Sequence, residues 1–78
     1  MSMSFSVRVV DEDGNPREGV RIYSHYGILH GGHAEYTDEE GWATFEPSGD
    51  YTSVEIMING DSQGEYSISD SETFSFTL

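Results

Sequence analysis

Apolar residues in this chain fall at every second position in short runs. Val54, Ile56 and Ile58 alternate with Glu55 and Met57, Phe5, Val7 and Val9 with Ser6 and Arg8, and Phe74, Phe76 and Leu78 with Thr73, Ser75 and Thr77. Side chains alternate between faces on a strand and recur every 3.6 residues on a helix, so the pattern predicts half-buried strands and leaves no amphipathic helix. Turn residues separate the runs, as expected for strands joined by reversals.

On this reading the first strand covers Phe5 to Val10, and Asp11 to Gly19, with Gly14, Asn15 and Pro16, is its turn. A second strand runs from Val20 to about Ser24, followed by a glycine- and histidine-rich loop to Gly32. Ala34 to Thr37 forms the third, Asp38 to Gly41 a turn whose glycine supplies positive φ, and Trp42 to Phe45 the fourth. Glu46 to Tyr51 leads to a fifth strand around Val54 to Ile58, and Asn59 and Gly60 turn into a sixth holding Tyr66 and Ile68. The last strand ends at Leu78. Strands of this kind bury one face each by packing as two sheets, so the expected fold is a seven-stranded antiparallel β-sandwich. The expected organisation is a single domain over residues 1–78, with 1–4 expected to be a flexible N-terminus.

Fifteen acids face three arginines, Arg8, Arg17 and Arg21, and lysine is absent, for a formal net charge of −12. Such a field repels phosphate backbones, which argues against nucleic-acid partners. Acid excess without lysine also suits a high-salt environment, where screening is short-ranged. With no cysteine, thiolate chemistry and disulfide staples are excluded. Neither a signal peptide nor a membrane-length apolar run is present, so the expectation is a cytoplasmic chain without membrane contact.

The run Val7, Arg8, Val9, Val10, Asp11, Gly14, Pro16, Gly19, Val20, Ile22, followed by Thr37, Asp38, Gly41, Ala43 and Phe45, resembles the carboxypeptidase regulatory-like and transthyretin-like (prealbumin-like) superfamily. The resemblance implies a transthyretin-like sandwich and an accessory or carrier role. The enzymatic branch, the hydroxyisourate hydrolases, carries a C-terminal Tyr, Arg, Gly, Ser tail. This chain ends Phe74, Ser75, Phe76, Thr77, Leu78 instead, so the resemblance implies no catalysis.

Two clusters of residues are candidate sites. His25, His30 and His33 lie within nine residues, and three neutral imidazoles can hold zinc or copper. The alternative is three solvated loop histidines. Asp11, Glu12, Asp13, Gly14 and Asn15 begin like a calcium loop, but Pro16 replaces the required glycine and Ile22 the bidentate glutamate. If each strand reverses the last, alternate connections share an end. Asp11, Glu12, Asp13, Glu18, Asp38, Glu39, Glu40, Asp61 and Glu65 then form an acidic rim, while His25, His30 and His33 gather at the other end with Asp50, Asp70 and Glu72. The rim can collect a divalent cation or a basic partner, or be turn acids in an acidic protein. No nucleophile with an adjacent base is readable. The function expected is therefore non-enzymatic, a protein-binding or self-associating domain acting through loops or a sheet edge, with no cofactor. The alternative is a metal-binding domain built on the histidines.

Overall fold

The computed structural model describes residues 4–27, 31–47 and 51–78. It is all-β, with seven strands: β1 (Phe5–Val10), β2 (Arg21–Gly27), β3 (Gly31–Tyr36), β4 (Trp42–Phe45), β5 (Ser53–Ile58), β6 (Asp61–Ser67) and β7 (Glu72–Thr77). They form a three-stranded sheet in the order β4-β1-β7 and a four-stranded sheet in the order β3-β2-β5-β6. Among the described residues no helix is long and apolar enough to cross a membrane.

Alternation sets the inner faces. Phe5, Val7 and Val9 of β1, Ala43 and Phe45 of β4, Ile22 of β2 and Val54, Ile56 and Ile58 of β5 are buried between the sheets, joined by Val20 and Ile68. Glu55 and Met57 lie on the opposite face of β5 and are half-buried, and Glu55 Oε2 accepts a hydrogen bond from the Ser62 hydroxyl at 2.8 Å. The register expected for β5 is therefore the observed one. Phe5 stacks on Phe45 with centroids 5.0 Å apart and meets Phe74 edge to face at 6.0 Å, so the core has an aromatic centre.

One expectation is corrected. The sandwich is not wholly antiparallel, because β1 and β7 pair in parallel, with Val7 beside Phe74 and Val9 beside Phe76. Strict reversal explains this. When every strand reverses the one before it, the first and seventh run the same way, and placing them side by side makes a parallel pair.

The same reversal sorts the connections as expected, but the fifth is only the Asn59–Gly60 turn: β6 starts at Asp61 and carries Glu65 mid-strand opposite Glu55, off the acidic rim where it was expected. At one end Val9 N–H donates to the Gly41 carbonyl at 2.8 Å, Gly19 N–H to Thr37 at 2.9 Å, and Asn59 N–H to Arg21 at 2.9 Å, tying the first, third and fifth connections together. At the other end Ile68 N–H donates to Thr52 at 3.0 Å and Ser71 N–H to Ser4 at 2.7 Å. Thr37, only 4% exposed, is the chief polar link at the first end. Its hydroxyl accepts from Val20 N–H at 2.9 Å and donates to the Arg17 carbonyl at 2.6 Å. Thr37→Val keeps the shape but strands a donor and an acceptor in the interior, costing about 1–3 kcal/mol. Chemical denaturation should show that loss, with Thr37→Ser recovering most of it; a Thr37→Val midpoint equal to wild type would refute the linking role.

The outer face of the small sheet carries Ser6, Arg8 and Val10 from β1, Trp42 and Thr44 from β4, and Thr73, Ser75 and Thr77 from β7. Their registers align them as Thr44–Ser6–Thr73 and Trp42–Arg8–Ser75 rows.

Candidate functional site

Asp11–Asn15 and Asp38–Trp42 are the same structure built twice. In each the first aspartate N–H donates to the fifth residue's carbonyl, at 2.8 and 2.9 Å, and the glycine N–H returns to the aspartate carbonyl, at 3.0 and 2.9 Å. This is a three-residue hairpin loop closed by a left-handed glycine, with φ 86° at Gly14 and 82° at Gly41. The aspartate carboxylates are occupied: Asp11 Oδ1 accepts from Asp13 and Asn15 N–H, both at 2.9 Å, and Asp38 Oδ1 accepts from Glu40 N–H at 2.9 Å and Trp42 N–H at 3.0 Å. The backbone N–H of Asn15 leads the causes that hold the Asp11 carboxyl below its ordinary range. Asp11 and Asp38 are thus turn-forming residues, while Glu12, Asp13, Glu39 and Glu40 are exposed around them.

The histidines are placed differently from the loop expected. β2 extends to Gly27 and β3 starts at Gly31, so His25 and His33 are strand residues. His33 pairs across the ladder with buried Ser24, and His25 follows Ser24 in sequence, which puts the two imidazoles on opposite faces of the sheet. His25 stacks with Tyr23 on the outer face, ring centroids 6.3 Å apart. His33 meets Phe45 edge to face at 6.3 Å on the inner side. Two of the three proposed ligands therefore diverge, and His30 lies outside the described residues, as does Asp50. Among the described residues no group of three His, Asp or Glu is placed to hold a metal ion.

His33 belongs instead to an open cleft of about 540 Å³. It lies where the edge strands β3 and β4 of the two sheets meet. Tyr26 and Tyr51 supply aromatic surface, buried Phe45 lies at the floor, Gly32, Thr44 and Pro47 complete the walls, and Glu35 and Glu46 supply carboxylates. Tyr26 and Tyr51 stack at 4.5 Å with planes 15° apart. The Ser24 hydroxyl donates to Tyr26 Oη at 3.0 Å and shares the proton with the His33 carbonyl at 3.2 Å, which fixes the tyrosine relative to the β3 backbone. Burial pushes the Tyr26 phenol up. His33 Nε2 lies 2.7 Å from Glu35 Oε1; the two residues are two apart on one strand and so share a face.

Sequence reasoning placed His33 at this end but missed Glu35, Glu46, Pro47 and the Tyr26–Tyr51 stack. The signal was there in part, because the fourth connection, with Glu46 and Pro47, falls at the histidine end by the same reversal rule. No protein-family model matches the chain, and no curated protein matches it.

Proposed function

We propose that the domain is a non-enzymatic binding module whose cleft holds a basic side chain, lysine or arginine, presented by an extended segment of a protein partner. The observation that carries this is the composition of the cleft wall: the stacked Tyr26 and Tyr51 beside two carboxylates, with no lysine or arginine among the lining residues. Aromatic faces attract cations through their quadrupole, and carboxylates accept charge-assisted hydrogen bonds from them. The −12 net charge draws a basic partner in from a distance. A non-catalytic role is favoured by exposure of the His33–Glu35 pair, whose side chains are 62% and 44% accessible; a general base tuned by burial sits in drier surroundings. The likeness to transthyretin-like accessory domains is part of the same proposal, supported by the turn motifs that the two hairpin loops explain.

The test is a titration with capped Gly-Arg-Gly and its citrulline counterpart, followed by amide shifts of His33, Glu35 and Tyr51. Arginine should bind with Kd of about 1 mM, near 4 kcal/mol, citrulline should fail, and Glu35→Gln with Glu46→Gln should weaken binding about tenfold. Equal binding of arginine and citrulline, or no shifts in the cleft, would overturn the reading.

A further inference from the structure

The fourteen acids among the described residues are distributed unevenly. They occupy the turns, the cleft, the ends and, as Glu55 and Glu65, the outer face of the larger sheet, where the two are direct cross-strand partners. The outward positions of the three-stranded sheet hold none, although these strands supply eight of them. At the centre of that face lies Arg8, its guanidinium carbon 5.7 Å from the centroid of the ring of Trp42. Arg8 Nε is buried and has no hydrogen-bond partner, and among the described residues Arg8 forms no ion pair. Arg17 and Arg21 form none either; what sets Arg8 apart is that buried nitrogen without a partner, on a face that holds no carboxylate. Around it stand hydroxyls: Ser6 and Thr44, 3.4 Å apart, and the exposed Thr73, Ser75 and Thr77.

Size and charge narrow what such a face can meet. Three strands about 4.8 Å apart and four to six residues long at about 3.4 Å each span under roughly 300 Å², well below the ~800 Å² per partner of a stable protein interface. A second copy docked through this face alone would fall short. A cation is disfavoured by Arg8, and an anion must cross the field of a molecule carrying −12. The ligand class that meets neither obstacle is neutral and rich in hydroxyls. A guanidinium fork donates to paired oxygens, a flat row of serine and threonine hydroxyls both donates and accepts, and an indole packs against the C–H face of a sugar ring.

We propose that the outer face of the three-stranded sheet is a binding site for a neutral glycan, with Arg8 as the central donor, Trp42 as the packing surface and Ser6, Thr44 and Ser75 as flanking hydroxyls. The site is separate from the cleft and stands whether or not the cleft binds a cation.

Trp42 is the sole tryptophan, so its fluorescence reports the face directly. Neutral gluco-, xylo-, manno- and chito-oligosaccharides of two to six units are titrated to 20 mM, with heparin-derived oligosaccharide as the anionic probe. At least one neutral series should give a saturating change in emission, reduced tenfold or more by Arg8→Gln and severalfold by Ser75→Ala, an exposed position that leaves the fold intact. Glu35→Gln, in the cleft, should leave the titration unchanged. Affinity should stay within twofold between 0.1 and 1 M sodium chloride. The proposal is overturned if no neutral series perturbs Trp42, if Arg8→Gln and Ser75→Ala, shown folded by circular dichroism, respond like wild type, or if only the anionic probe binds and salt abolishes it.

Discussion

Gly41→Ala should lower the unfolding midpoint far more than Gly14→Ala, although the two glycines occupy the same position of the same turn. Both have positive φ, 82° and 86°, and placing a Cβ in that region costs about 1–2 kcal/mol. The difference lies in what the added methyl meets. At Gly14 nothing is within 4 Å. At Gly41 a Cβ would stand 2.5 Å from the Val9 carbonyl oxygen and 3.3 Å from both Arg17 N and Pro16 Cβ, where the first and third connections cross. That oxygen is not free to retreat, since it accepts from Arg17 N–H at 3.0 Å while Val9 N–H donates to Gly41 itself. Overpacking of this kind adds about 1–3 kcal/mol, so the Gly41 variant should lose about 2–5 kcal/mol in all. For a domain of this size each kcal/mol moves the midpoint by about 4–8 °C. Thermal melts of the two variants settle the matter, and similar midpoints would mean that the two turns do not differ in their packing as the structure has them.

The contrast between those glycines also shows what was legible in the sequence. Both turns were readable locally, because Asp, Glu, an acid and Gly at successive positions need only their own residues to form the loop. The crossing that crowds Gly41 was not, since it depends on segments from two connections. The same distinction separates the right readings from the corrected one elsewhere. The inward face of β5 follows from Val54, Ile56 and Ile58 alone. Parallel pairing of β1 with β7 joins the two ends of the chain, and no local signal marks it, although strict reversal implies it once the two are neighbours. The β2–β3 hairpin was read short because the polar Ser24 interrupts the apolar phase that Tyr26 resumes, and Gly27, Gly31 and Gly32 argue against strand. That error turned His25 and His33 into loop residues, when their places on two paired strands send them to opposite faces. The cleft was illegible as a unit because its walls come from β2, β3, β4 and the fourth connection. Glu35 and Glu46 look in sequence like two more acids among many.

Sodium chloride between 0.1 and 1 M should raise the melting temperature by about 10–20 °C. Twelve net negative charges share a body of 36 × 24 × 18 Å, which sets typical separations near 17 Å. A pair at that distance in water repels by about 0.25 kcal/mol, and a Debye length of ~10 Å leaves roughly a fifth of it at 0.1 M. With on the order of 66 such pairs, the folded state carries ~3 kcal/mol of self-repulsion. The unfolded chain, with a radius near 27 Å against the 11.9 Å observed, escapes almost all of it. At 1 M the ~3 Å screening length removes the term from the folded state as well. Calcium tests a different point. Because Asp11 and Asp38 spend their inward carboxylate oxygens on turn N–H groups, the rim lacks a ready-made ligand set. Millimolar calcium at matched ionic strength should therefore add nothing beyond sodium chloride. A further rise with calcium would demand binding to the folded state and would restore the rim as a cation site through Glu12, Asp13, Glu39 and Glu40. A midpoint that stays flat or falls with sodium chloride would mean that the acids are neutralised in some way the repulsion argument omits, and the high-salt interpretation of the composition would fall with it.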